Sequence, residues 1–452
     1  MRAFKDFRRY QVDALAFCNE TPRGYLAAKA GAGKTAIALA YMAGLLDRLE
    51  VRRVLVVAPK RVVPQWPQEA RKWAFSRFLT FSQYIGPRQE RLKALRARSA
   101  VVACSFEFFP ELVREVKGRD WDFDLVIFDE ASRLRNGGRR GSVGWKAMNA
   151  ISAKTGSRIL LMSGSPRPGS AHELYAPVFL LDQGMRLGKT LGAFRDAYLE
   201  PDKQNRSTGQ VYSWRLRAGM ESALYGRIAD LYFAVSPDLG LQCVEIDRPV
   251  TLPGDAAALY SRMQGAMTVT ADDLSITATS RGVLAGKLHQ LAQGAAFDDA
   301  GKVRVVHDEK LDELEQLIEE VGDRIVVCVW YTHDRDRVLA RFPGAVDITT
   351  PQGLAAAKRG EVDIAVLHPA SAGHGIDGLQ AHYSAMVWMA LPHSWELYDQ
   401  AQARIVRSGQ RETVRVYRLV ATGTIDESIC QALVAKASGQ EGFYRHLEDV
   451  NA

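Results

Sequence analysis

The stretch AAKAGAGKT, residues 27–35, sets a lysine and a threonine behind two closely spaced glycines. Gly31, Ala32 and Gly33 leave room for backbone N–H groups to wrap an anion. Lys34 can reach β and γ phosphates, and the Thr35 hydroxyl can hold Mg²⁺. The apolar run that follows, from Ala36 to Leu46, opens a helix whose N-terminus adds partial positive charge. Ala28 stands where the common phosphate-loop pattern has its first glycine. A second stretch, DLVIFDEAS at 124–132, delivers two carboxylates at the end of an apolar run. Asp129 would orient Mg²⁺ through its water shell, and Glu130 would polarise an attacking water. The cofactors expected are therefore ATP and Mg²⁺.

Far along the chain, QAQARIVRSGQR at 400–411 raises a question of its own. Read as a helix, Gln400, Arg404 and Arg407 share one face at i, i+4 and i+7. Taken alone, that spacing describes a solvated basic face. Beside a phosphate loop it suggests more, because charge builds on the γ-phosphate as its bond breaks, and an arginine from another domain can stabilise it. Arg404 and Arg407 are the expected fingers. Gln400 and Gln410 would help to position them or the phosphate.

Such residues need rigid elements beneath them. Short Val/Ile/Leu-rich runs recur between helical patterns: GYLAA (24–28), VLVVAP (54–59), VVACS (101–105), FDLVIFDE (123–130) and ILLMSG (159–164). The second half repeats the arrangement with IVVCVWY (325–331), VDIAVLH (362–368), AMVWMAL (385–391) and TVRVYRL (413–419). Apolar runs bounded by helical patterns read as buried parallel strands. The fold class is α/β twice over, each half a mostly parallel sheet flanked by helices. Residues 165–310 read as mostly helical and irregular, with EPDKQNRSTGQ (200–210) a loop. AVSPDLGLQ (234–242) places the boundary near 240, giving domains 1–240 and 241–452. Asp308 is the expected N-cap of the helix EKLDELEQLIEE.

With 452 residues, 47% hydrophobic and 25% charged, the chain suits a soluble two-domain protein. It lacks a transmembrane run and a signal peptide, so a cytoplasmic setting without membrane is expected. Five scattered cysteines without a C-x-x-C pair argue against zinc and against a disulfide framework. A formal net charge of +7 favours a polyanion partner. Two segments bear on that partner. ASRLRNGGRRGSVGWK (131–146) is basic and glycine-rich, either a loop on nucleic acid or a solvated one. VYSWRLR (211–217) mixes aromatics with arginines, and ordinary packing of Tyr212 and Trp214 is the preferred reading.

Taken in order, these segments resemble superfamily-two helicases, and among them the compact Swi/Snf-like translocases of bacteria and bacteriophages. AKAGAGKT matches motif I, VVAPKRVVPQWPQEARKW (56–73) motif Ia, DEAS motif II and LMSGSP (161–166) motif III. HPASAGHGIDGLQ (368–380) matches motif V and QAQARIVRSGQ motif VI, while residues 173–199 resemble the region after motif III in phage-type members. The resemblance implies two RecA-like lobes with helical insertions between. It makes Gln11 an adenine reader and places Gly375 and Asp377 between ATP and nucleic acid. Pro59, Lys60, Ser105, Trp330, Ser371 and Gly373 would touch the phosphate backbone. Ser132 stands where relatives carry His or Asp, and Ser163–Gly164–Ser165 replaces a threonine-rich motif III. Both departures concern coupling rather than hydrolysis.

The expected activity is a nucleic-acid-dependent ATPase moving on double-stranded DNA in a bacterial or phage-infected cell, remodelling protein–DNA complexes or branched DNA. One alternative is a strand-separating DNA or RNA helicase. Another is a nucleotide-gated DNA-binding module of a restriction or recombination assembly.

Overall fold

The computed structural model describes residues 2–451 except 30, 117–120, 139–140, 167–169, 206–207, 236–239, 241, 272–273, 373–375 and 408. The chain divides into two compact units. The first comprises Met1–Pro237 together with Lys436–Ala452, and the second Asp238–Ala435.

The strands of the first unit are β1 (Arg23–Ala28), β2 (Val54–Ala58), β3 (Phe81–Tyr84), β4 (Val101–Ser105), β5 (Leu125–Asp129), β6 (Arg158–Ser163), β7 (Leu199–Gln204), β8 (Val211–Leu216) and β9 (Tyr232–Val235). Seven of them form one sheet in the order β3-β4-β2-β5-β6-β1-β9. Every pairing in it is parallel. Helices cover both faces, so the strands are apolar at successive positions rather than alternate ones. Along β2, Leu55 and Val57 enter one core cluster, while Val54, Val56 and Ala58 enter another on the opposite face. In the sheet β6 lies between β5 and β1. The ends of those three strands thus carry motifs II, III and I side by side, at the carboxyl edge where ligands of α/β sheets bind.

The expected loop at 200–210 is strand as far as Gln204, where β7 ends, and β8 begins only at Val211. β7 and β8 pair only with each other, antiparallel, from Leu199 opposite Leu216 to Gln204 opposite Val211. Polar residues such as Asp202 and Gln204 hide a strand from a reading of local propensity. The ribbon forms because its root is tertiary: Leu199 is buried in the core, with Trp214 and Leu216 packed against it.

The second unit contains β10 (Cys243–Val250), β11 (Thr268–Ala271), β12 (Leu274–Thr277), β13 (Ala295–Phe297), β14 (Val303–Val305), β15 (Ile325–Cys328), β16 (Ala345–Asp347), β17 (Ile364–Leu367), β18 (Ala385–Trp388) and β19 (Val414–Ala421). Six form a parallel sheet in the order β10-β19-β18-β15-β17-β16, and the pairs β11–β12 and β13–β14 are small hairpins. A fully buried polar hub ties this unit together. Lys310 donates to Gln293, to the Met389 carbonyl and to Asp426, at 2.8, 2.9 and 2.6 Å. An ion pair taken out of water holds only when every remaining donor and acceptor is met, and this lysine makes all three of its bonds. Asp308 does hold the N-cap position of the helix Glu309–Val321, but its carboxylate makes no cap bond. It accepts instead from Arg337 at 2.7 Å.

The expected C-terminal domain ran from 241 to the end. Residues 436–452 cluster instead with the first unit. They belong to the helix Ile425–Asn451, whose Phe443, Tyr444 and Leu447 are fully buried in the first unit's core. No described helix is long and apolar enough to cross a membrane.

Candidate nucleotide site

β1 ends at Ala28 and the helix Lys34–Asp47 begins six residues later. Between them Gly31 and Gly33 both take positive φ, +83° and +82°. Only glycine enters that region without penalty. At Gly33 there is a second reason: an added Cβ would lie 2.3 Å from the Gln11 side-chain amide. That amide donates to the Ala32 carbonyl at 3.1 Å, while its oxygen accepts from the Arg8 N–H at 2.9 Å. Gln11 is therefore fixed against the loop. Lys34 donates its ammonium to the Ala28 carbonyl at 2.8 Å, which curls the side chain back over the loop. Thr35, half-buried, is the second residue of the helix.

Asp129 ends β5 and is 8% exposed. Burial lifts its carboxyl to about 6, against the opposing pull of Lys34 and of a backbone hydrogen bond at Glu130. Lys34 and Asp129, 95 residues apart in sequence, thus feel each other's charge. Glu130 has φ +61° and ψ +58°, a left-handed backbone that a non-glycine residue adopts at a cost of order 1–2 kcal/mol. The kink turns the chain sharply away from Asp129 as the short helix Ala131–Leu134 begins. Among the described residues, no three His, Cys, Asp or Glu side chains gather to hold a metal. One hydroxyl and one carboxylate, Thr35 and Asp129, suit a Mg²⁺ that takes its other oxygens from phosphates and water. The residues present fit that ion.

Motif III is tied on both sides. The Ser163 hydroxyl accepts from the Ser165 N–H at 3.0 Å, and the Gly164 carbonyl accepts from the Tyr444 hydroxyl at 2.9 Å. Lys29, at the start of the phosphate loop, pairs with Glu441 at 2.8 Å and lies 5.4 Å from the Tyr444 ring centre. The sequence reading missed these partners. Only the tertiary fold brings residues 440–444 to motifs I and III. Ser132, the departure in motif II, is buried at 4% exposure.

The second unit gathers its own cluster. The helix expected to carry both arginines ends at Gln402, and 403–407 continue as turns. Arg404 and Arg407 therefore do not share a helix face. They converge on a carboxylate: Arg404 donates to Asp377 at 3.2 Å, and Arg407 to the same oxygen. Burial would raise the Asp377 carboxyl, but Arg407 and Arg404 outweigh it and hold it below the ordinary aspartate range. Gln400 bonds Glu396 at 3.5 Å on its own helix, and Gln410 donates to the Tyr383 carbonyl at 2.9 Å. The Gln410 backbone N–H also donates to the Arg407 carbonyl at 3.1 Å.

The expected backbone contacts are unequal. Lys60 is exposed; Pro59 is buried. Ser105 is 0% exposed, with a hydroxyl that meets no hydrogen-bond partner, so its side chain is closed to a phosphate in this conformation. Trp330 is half-buried and stacked on His368, ring centres 5.4 Å apart, and His368 bonds the Trp330 carbonyl at 2.9 Å. Ser371 is half-buried, while Gly373 and Gly375 lie outside the described residues.

Comparison with known proteins places this geometry in context. The family described as SNF2-related domain matches residues 10–246. Protein p41 of Acyrthosiphon pisum secondary endosymbiont phage 1 is 30% identical over 458 residues, covering 96% of this chain and 97% of p41. The Homo sapiens DNA excision repair protein ERCC-6-like is 27% identical over 204 residues, 42% of this chain and 16% of that protein. The Saccharomyces cerevisiae (strain YJM789) DNA repair and recombination protein RDH54 is 23% identical over 445 residues, 87% of this chain and 46% of that protein. The chain thus spans nearly all of p41 but less than half of either repair protein. A solved structure, the Sulfolobus solfataricus SWI2/SNF2 ATPase core in complex with dsDNA, aligns at 18% identity with a TM-score of 0.45, covering 98% of this chain and 95% of that one.

Proposed function

The chain belongs to the SNF2-related domain family and is an ATP hydrolase, and from that premise we propose that it is a motor on double-stranded DNA. It would work in the cytoplasm of a bacterial or phage-infected cell. One observation carries the reading. The first unit brings the phosphate-loop Lys34 within electrostatic reach of Asp129, while the second holds Arg404 and Arg407 on Asp377. Each unit thus carries one set of charged groups of the kind that phosphoanhydride hydrolysis draws on.

In this reading the Gly31–Gly33 backbone and Lys34 bind the phosphates, with Gln11 on the adenine. Thr35 and Asp129 hold Mg²⁺, which when bound neutralises charge on the phosphate oxygens. Glu130 takes the proton of the attacking water as the water oxygen bonds to the γ-phosphorus and the bond to the β-phosphate oxygen breaks. Arg404 and Arg407 leave Asp377 to meet the charge on the departing phosphate. Asp377 would then report the state of motif VI to the motif V residues next to it. Phosphate-backbone contacts are indifferent to base sequence, which suits movement along any duplex. Remodelling of protein–DNA complexes or branched DNA follows from such movement.

The test is ATP turnover with duplex DNA, single-stranded DNA and RNA at one stated salt concentration. Duplex DNA should stimulate most; stimulation by RNA alone would overturn the reading. A forked-duplex assay separates movement without unwinding from true strand separation. Lys34→Ala should abolish turnover. Arg407→Ala should lower kcat by about 10³-fold or more while ATP affinity stays within about threefold, as expected of an arginine that acts only on the developing charge. Normal hydrolysis by the Arg407 variant would show that some other group meets that charge.

A further inference from the structure

We propose that the β7–β8 ribbon of the first unit is a DNA-contacting element that lies in the major groove of the duplex. This rests on the reading of the chain as a duplex DNA motor. The ribbon is a two-stranded antiparallel pair joined to no other strand. A pair of that kind is the β element that a B-DNA major groove, about 12 Å wide, admits.

Its two ends differ in chemistry. At the root Leu199 is buried and Trp214 packs on the core. Beyond Pro201 the register shifts twice, Asp202 standing unpaired on one strand and Tyr212 on the other, so the outer pairing is irregular. The outer half is exposed and rich in side chains that bond phosphates and base edges: Lys203, Gln204, Thr208, Gln210 and Tyr212. Tyr212 is 62% exposed, unusual for so large an aromatic ring. Lys203 has no ion-pair partner among the described residues. The nearby carboxylates are engaged within the ribbon, Glu200 with Arg215 at 2.7 Å and Asp202 with the Ser213 hydroxyl at 2.7 Å.

Charge singles out a polyanion as the occupant. Residues 195–217 hold five arginines and lysines against three carboxylates, and 131–146 hold five with none. The two excesses together equal the formal net charge of the whole chain, +7. The fold joins these segments. The Arg195 guanidinium lies 4.7 Å from the Trp214 ring centre and donates to His172 Nε2 at 2.9 and 3.2 Å. His172 in turn lines a cavity of about 300 Å³ with Arg135, Asn136 and Ser142, the segment that follows motif II. Burial and the neighbouring Arg195 push the His172 pKa down to about 4, so it accepts the arginine's protons as a neutral ring. The root of the ribbon thus neighbours described residues of the basic segment after motif II.

The experiment is duplex binding by the full chain carrying K203A and Y212A together, followed by anisotropy across a salt titration. The affinity should fall about tenfold, and the slope of log K against log salt should become shallower by about 0.9, the share of one phosphate contact. Both side chains are exposed, so the melting temperature should not move. A second measurement uses the unaltered protein: photo-crosslinking to a duplex substituted with 5-iodouracil should join Tyr212. Wild-type affinity and slope in the double variant, or crosslinks that fall only elsewhere, would overturn the proposal, as would a loss confined to single-stranded nucleic acid. If the unaltered chain shows no duplex-stimulated turnover, the underlying motor reading fails instead.

Discussion

Asp129 shows how one residue's setting becomes a measurable property. Its carboxyl is lifted by burial to about 6, whereas the Mg²⁺ role proposed for it requires the ionised form. In the free enzyme the group is charged above that value and protonated below it. kcat/KM reports free-enzyme ionisations, so it should fall as the pH drops through about 6. An acid limb nearer 4, the ordinary carboxylate range, would show that Asp129 is not the group that titrates. For stability the sign is the reverse: a raised carboxyl pKa favours the folded state as the pH falls from about 6 toward the unfolded value. Gly33 is the second residue-scale case. Gly33→Ala must tolerate φ +82° and a Cβ 2.3 Å from the Gln11 amide. The backbone term alone costs about 1–2 kcal/mol, and displacing Gln11 adds to it. The variant should melt lower and bind ATP more weakly, by thermal denaturation and nucleotide titration.

At the scale of elements, the strand ends decide what meets. Because β6 lies between β5 and β1, motifs I, II and III share one edge. The strands themselves were legible in the sequence, since a two-sided parallel sheet requires continuous apolar runs. Where the runs were short or polar, as in β3, β16 and the β7–β8 ribbon, the same logic had nothing to read. The arginine pair teaches a related lesson. Helical spacing paired Arg404 with Arg407, but the structure brings them together for a different reason. They meet on Asp377 because the turns after Gln402 and the segment before β18 converge there. The Lys310–Asp426 hub makes the element-scale prediction for the second unit. Lys310→Met would leave the Asp426 carboxylate buried without its cation, at a cost of about 3–5 kcal/mol in a denaturant melt.

For the whole molecule, chain order and structural order differ. The last described residues follow the second unit in sequence yet complete the core of the first. Phe443 is fully buried and meets Tyr225 and Tyr232 edge to face, at 4.8 and 5.7 Å. Phe443→Ala should destabilise the first unit by about 3–5 kcal/mol, the usual range for losing a buried aromatic. Two units need not unfold together, so that loss should be followed by a probe placed in the first unit. If the variant melts like the parent, the helix end contributes little to that core. Tyr444→Phe keeps the ring and removes only the hydroxyl that reaches Gly164, so it should cost about 1 kcal/mol.

The sequence by itself determined which residue types follow one another along the chain: a glycine-rich loop ending in Lys34 and Thr35, paired carboxylates, an arginine pair and the strands beneath them. Those depend on residue type and short spacing, which are local and leave a local signature. The tertiary structure alone decided what those groups touch: Lys29 on Glu441, Gln11 against Gly33, Ser105 sealed from solvent, Tyr444 on motif III. Contacts between residues tens to hundreds of positions apart are set by packing and loop closure, and no periodicity in the chain records them.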